Sequence, residues 1–163
     1  MTGRSKLTTK VRSAGGSNVI ELASTSLIMA VLTVMCIDVG TVVFGTIVHN
    51  RACQQACRAA AQGNDSSRAN SLARATLSAC ATDGHFLTQP TFADPELVYN
   101  DYNGNPAPTE VPTVTLTTHA DIMLPAGASF AGALLGAPDG VIHSSCNYTY
   151  PIMNFQQKIP EGG

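Results

Sequence analysis

Residues 19–48 form a run of thirty mostly apolar residues, VIELASTSLIMAVLTVMCIDVGTVVFGTIV, interrupted only by Glu21 and Asp38. No other feature constrains the fold as strongly. As one helix the run would reach about 45 Å, more than the ~30 Å hydrocarbon core of a bilayer. It therefore reads as a transmembrane span over residues 19–48, within a longer helix over residues 17–62. A cleavable secretory signal is the competing reading, but its apolar core is usually about 7–15 residues long.

The flanks give the span a direction. Residues 1–16 carry Arg4, Lys6, Lys10 and Arg12 and no acid, so they read as a basic cytoplasmic leader. Charge then reverses along the chain. Residues 1–80 hold eight Lys/Arg against three Asp/Glu, and residues 81–163 hold one base, Lys158, against eight acids. An acidic outer part lacks the basic stripe that nucleic acid requires, so no nucleic-acid partner is expected. The expected location is a single-pass cell membrane with residues 63–163 extracytoplasmic. About a hundred residues there suffice for a small α+β domain with a second helix and an antiparallel sheet.

Beyond the membrane the helix changes character. In RACQQACRAAAQ, residues 51–62, the polar residues Arg51, Gln55, Arg58 and Gln62 follow helical spacing, and Ala52, Cys53, Ala56, Cys57 and Ala60 form the other face. Small faces let another backbone approach closely, and Thr41 with Gly45 repeats that spacing inside the apolar run. Gly63 reads as a C-terminal cap glycine. Asn64 or Asp65 can cap a second helix running to about Ala81, with Ala69, Leu72, Ala73, Thr76, Leu77 and Cys80 inward. Prolines 90, 95, 106, 108 and 112 then punctuate the chain, leaving a short strand at residues 97–99. Residues 113–124 alternate as a strand, with Val114, Leu116, Ala120, Ile122 and Leu124 on one face. A helical turn is expected at residues 130–135 and a last strand at residues 141–150, with Ile142, Cys146, Tyr148 and Tyr150 inward.

Two motifs point to assembly. GGSNVIEL, residues 15–22, sets a glycine at the basic-to-apolar boundary and a glutamate five residues on, and resembles the processing site of type IV prepilins. That resemblance implies cutting after Gly16 by a prepilin peptidase, Ser17 as the new N-terminus, and Glu21 at the fifth position. A carboxylate within a span costs roughly 2.5–3.5 kcal/mol at mid-membrane and less near the surface. In a filament, Glu21 could pair with a neighbouring subunit's amine; alone, it would snorkel to water.

The second motif is the wider pattern. Residues 16–23 (GSNVIELA), Asp38-Val39-Gly40 in the helix, and residues 50–61 (NRACQQACRAAA) together resemble the TadE-like family, pseudopilins of the tight-adherence (Tad) pilus system. The resemblance covers residues 15–62 well and residues 63–163 loosely. The chain departs from the family at Leu22, where an aromatic is common, and in its cysteines. The resemblance implies a pilin-like fold and a minor, assembly-associated pilus component acting in adhesion and biofilm formation. Its partners would be the membrane, other pilins or pseudopilins and the Tad secretion machinery. The alternatives are a membrane-anchored extracytoplasmic binding module unrelated to pili, or a small thiol or metal protein.

Asp38 reads equally as a carboxylate packed against another helix of the pilus machinery or as an interfacial residue where the membrane ends. Four extracytoplasmic cysteines, Cys53, Cys57, Cys80 and Cys146, allow three disulfide pairings. Cys80 and Cys146 both fall on inward faces and make one candidate bridge. Cys53 and Cys57, four apart on a helix, read first as small packing residues or as cross-links between subunits. Cys36 reads as apolar packing. No further ligands complete a metal site, no cofactor is expected, and no nucleophile or phosphate-binding motif is present, so the chain reads as a non-enzyme.

Overall fold

The computed structural model describes residues 15–107, 109–125 and 136–154; for residues 15–17 and 94–96 it describes the backbone alone. The leader, the turn expected at residues 130–135 and most of the tail lie outside these residues. The described elements are α1 (Gly15–Ala60), α2 (Ser66–Ala79), β1 (Thr91–Asn100), a short 3-10 turn (Tyr102–Gly104), β2 (Thr113–Met123) and β3 (Val141–Pro151). A long apolar helix, a second helix and an antiparallel sheet make this an α+β chain. It divides into two compact units, residues 1–36 and 37–163, and α1 contributes to both.

The second unit is built on a three-stranded sheet of order β1-β2-β3, antiparallel throughout. β2 is central and has the cleanest alternation, with Val114, Leu116, Thr118, Ala120 and Ile122 all buried. Period-two burial on a central strand means that one face meets the core and the other meets water. On the open face polar side chains pair across the strands: Thr115 with Thr149 at 2.8 Å, Asn147 donating to Thr117 at 2.7 Å, and His143 with Asp121 at 2.7 Å.

β1 is longer than the sequence suggests. Thr91 and Phe92 pair with β2, the register shifts, and pairing resumes at Leu97. Pro95 falls inside that shift. A proline cannot donate to a ladder, and an edge strand with a bulge is where one is tolerated.

α2 is set by its cap and by one glycine. Asp65 sits in extended backbone and its carboxylate accepts from the Arg68 N–H at 2.7 Å, so one orphan amide of the first turn is satisfied. Ala69, Ala73 and Leu77 are the buried stripe, and Arg74 lays its guanidinium 4.7 Å from the Phe92 ring centroid of β1. Gly63 does not serve as the left-handed cap read from the sequence, since the positive-φ glycines are Gly84, Gly104, Gly136 and Gly140. Its role is clearance: a Cβ there would stand 2.6 Å from the Ala69 nitrogen and 2.8 Å from the Ala69 Cα.

The core follows from these placements. Ala52, Ala56, Cys57, Ala60 and Ala61 of the helix end cluster with Ala69, Ala73, Leu77, Val114 and Leu116. A smaller cluster joins Leu87, Ala120 and Ile122, with Val48 and Ile142 against it.

Candidate functional site

Two surfaces of α1 carry the functional interest. Over residues 19–37 its apolar side chains are exposed. Leu27, Ile28 and Met29 are 67%, 59% and 58% exposed, and consecutive helical residues point about 100° apart, so no side of this stretch is covered. The helix is long and apolar enough to cross a membrane, and only 6% of its most apolar window is buried. A core helix of a soluble domain would bury most of that window.

The expected processing residues lie at the start of α1. Gly16 and Ser17 have helical backbone, and Glu21 is exposed, with its carbonyl accepting from the Ser24 hydroxyl at 2.9 Å. Asp38, expected either against another helix or where the membrane ends, has no exposed surface. Its side chain is wholly buried inside the second unit, within the chain's own fold.

From Gly45 onward one line of α1 meets the sheet. A Cβ at Gly45 would lie 3.1 Å from three atoms of the Ile122 side chain. Its small size serves this contact with β2, a close approach of the kind the small-residue spacing suggested. Four residues later, His49 is wholly buried, with Nε2 3.0 Å from Thr118 Oγ1 of β2 and Nδ1 2.9 Å from Ser144 Oγ of β3. Four residues further, the Cys53 thiol points to the Cys146 carbonyl of β3 at 3.6 Å. Cys57 then directs its thiol to the Tyr148 and Val114 carbonyls at 3.3 and 3.6 Å. The spacing is geometric. Eight helical residues rise about 12 Å and four strand residues about 13 Å, so positions 49, 53 and 57 keep step with 118, 116 and 114.

Small side chains bring the helix close enough for these contacts. The polar stripe read from the sequence lies outside the seam: Arg51, Gln55, Arg58 and Gln62 are exposed. Arg58 reaches over β3, its Nε donating to the Tyr150 hydroxyl at 2.6 Å, and Gln54 bonds the Tyr148 hydroxyl.

All five cysteines are free thiols. Cys53 and Cys57 are buried, which fits small packing residues and not cross-links to another subunit. Cys146 contacts Cys53 rather than the expected partner Cys80, whose N–H closes α2 on the Leu77 carbonyl at 3.1 Å. The Cys146 thiol is pushed up to about 12, first by burial and then by the neighbouring Cys53 side chain. Among the described residues no group of three or more Cys, His, Asp or Glu is arranged to hold a metal.

His49, Thr118 and Ser144 were missed as a group in the sequence. Thr118 continues the inward alternation of β2, and Ser144 that of β3. His49 precedes Cys53 by the same four-residue step, so the spacing itself was the available signal.

A groove of about 540 Å³ runs between α1 and the segment after α2, lined by Ile37, Gly40, Phe44, Val48, Phe86 and Leu87 among others. Asp83 shapes that segment: its carboxylate accepts from the N–H groups of His85, Phe86 and Leu87 at 3.1, 3.0 and 3.2 Å. Those bonds hold its carboxyl below the ordinary aspartate value, the Leu87 amide contributing most.

Comparison with protein-family models, with curated proteins and with solved structures gives no match. Fold and site define a class: an α+β chain with, among the described residues, one helix able to span a membrane, the same helix sealing a small antiparallel sheet.

Proposed function

We propose that this chain is a pilin-like, minor assembly component of a Tad-type pilus, related to the TadE-like pseudopilins, and that its role is structural rather than enzymatic. Its leader lies in the cytoplasm, residues 19–37 cross the membrane, and the α+β head stands outside. One observation carries the reading. Residues 19–37 are apolar and exposed around the whole helix, whereas α1 beyond Gly45 is committed to its own sheet. Nineteen residues rise about 28 Å, which matches a bilayer core where the thirty-residue run overshot it. The span then ends beside Asp38, which has no exposed surface and so does not face lipid. Glu21, exposed near the other end, remains available to a neighbouring subunit's terminal amine.

The proposal is tested by sequencing the mature N-terminus and by piliation. A prepilin peptidase cutting after Gly16 leaves Ser17 first, and Glu21→Ala abolishes surface adhesion while the chain still inserts. An intact Met1 together with normal adhesion of Glu21→Ala overturns the reading. The groove beside Phe44 favours a second reading, a membrane-anchored binding module; there the leader is uncut and Phe44→Ser, not Glu21→Ala, removes the activity.

A further inference from the structure

We propose that Cys53 of α1 and Cys146 of β3 form an intrachain disulfide that fastens the helix to the sheet. The inference rests on the outward placement of the head proposed above, because such bonds persist on the oxidising side of a membrane.

Geometry selects this pair among the buried thiols. The Cys53 sulfur lies 3.6 Å from the Cys146 carbonyl oxygen, so the helix and strand bring these two residues against each other. Bonding requires their sulfurs to close to about 2.05 Å from that contact. Cys57 has the wrong geometry for either neighbour. Its sulfur is turned to the Tyr148 and Val114 carbonyls. On a helix, Cβ atoms four residues apart are about 5–6 Å from each other, against about 3.5–4.5 Å in a disulfide, so Cys53 and Cys57 cannot pair without breaking α1. Cys80 sits at the end of α2, outside the line of α1 residues that meets β3.

The chemistry is thiol–disulfide exchange with a disulfide-bearing oxidant, a protein dithiol–disulfide exchanger in the cell. One cysteine, as thiolate, attacks a sulfur of the oxidant, forming a mixed disulfide and releasing one oxidant thiol. The second cysteine attacks the protein sulfur of that mixed disulfide and releases the other. Two electrons and the two thiol protons leave with the oxidant, now a dithiol. Timing follows from burial. Cys53 is 0% and Cys146 6% exposed, so neither meets an oxidant once α1 has docked. The bond therefore forms while the head is still closing, and the same burial later shields it from reductants.

The test is made on the full chain in detergent micelles. The chain is reduced, unfolded in guanidinium and refolded in a glutathione/glutathione-disulfide buffer. Free thiols are then blocked with N-ethylmaleimide, and the chain is digested without reductant. The expected product is a linked peptide pair, lighter by two hydrogens than its parts, with fragment ions placing the bond on Cys53 and the maleimide on Cys57. Reduction of the native chain should be at least tenfold slower than after unfolding. Maleimide on both Cys53 and Cys146, or a bond joining Cys53 to Cys57 or Cys80 to Cys146, overturns the proposal. A Cys57→Ala, Cys80→Ala chain keeps the test decisive where loss of Cys53 unfolds the head; it should form the same bond. Chain blocked with maleimide directly in cells separates the two readings. A bond that forms on refolding but is missing in cells refutes the outward placement, whereas failure on refolding refutes the pairing itself.

Discussion

Replacing His49 with alanine tests the seam between α1 and the sheet most sharply. The imidazole is wholly buried and bridges Thr118 of β2 and Ser144 of β3 at 3.0 and 2.9 Å. Its loss has two unequal parts. The vacated volume costs about 2 kcal/mol, the low end for truncating a large buried side chain. The Thr118 hydroxyl, 0% exposed, then loses its partner, for roughly 1–3 kcal/mol. Ser144 is half-buried and turns to water at little cost. Alanine returns about 0.5 kcal/mol of helix propensity. The net loss is about 3–4 kcal/mol, and at about 4 °C per kcal/mol for a head of this size the Tm falls by about 12–16 °C. Thermal unfolding of the full chain in micelles, followed by circular dichroism, measures it. The mechanism is isolated by a double-mutant cycle with Thr118→Val, in which neither hydrogen-bonding group is left behind. His49→Ala should then cost about 2 kcal/mol less than in the parent. Additivity within about 0.5 kcal/mol would refute the bridging argument, as would a Tm drop below about 4 °C for His49→Ala alone.

Other perturbations follow the same logic. Gly63→Ala sets a methyl 2.6 Å from the Ala69 backbone nitrogen and should destabilise by about 1–3 kcal/mol, read as a lower urea midpoint. Gly40→Ala, where a Cβ meets nothing within 4 Å, should be neutral or stabilising by up to about 1 kcal/mol. Asp83 has a lowered folded value, so its contribution is full above the ordinary aspartate pKa of 3.8 and lost as pH falls through that lower value; Asp83→Asn should flatten the acid limb of a Tm–pH profile. His143 is raised, first by its hydrogen bond to Asp121. Its contribution is full below the ordinary value of 6.5 and lost as pH rises through the folded one, so His143→Ala should differ from the parent at pH 6 and converge with it by about pH 9.

The elements most legible in the sequence were those with one dominant period. β2 announced itself by strict alternation, α2 by Asp65 ahead of an Ala/Leu stripe, and the outer part of α1 by the separation of Arg51, Gln55, Arg58 and Gln62 from the small face. β1 was mostly hidden, because Pro95 reads as a strand breaker unless the strand is known to be an edge with a register shift. Gly63 was visible as a helix terminator but not for its reason, since proximity to Ala69 arises only after α2 folds back. Thr118 was passed over as polar although it continues the inward series, and its partner lies 69 residues away. Pairwise partners across such separations leave no local pattern. The same holds for Cys146, whose inward direction was legible and whose neighbour was not.

Within the apolar run, hydropathy alone does not separate the exposed stretch from the stretch packed on the sheet. Residues 19–37 and residues 41–48 are comparably apolar, yet only the first stretch is exposed on all sides; Gly45 and Val48 are spent on Ile122 and its cluster. Burial in lipid and burial under a sheet select the same side chains, because both remove apolar surface from water. What separates them is the demand for close approach. A glycine against Ile122, a histidine reaching two strands and two cysteines against strand carbonyls recur every four residues, and a lipid-facing helix has no use for that rhythm. Asp38 stands just before the rhythm begins, wholly buried, at the start of the unit that holds the sheet. The exposed apolar stretch thus gives way, past Asp38, to the contacts that begin at Gly45 and hold α1 to the sheet.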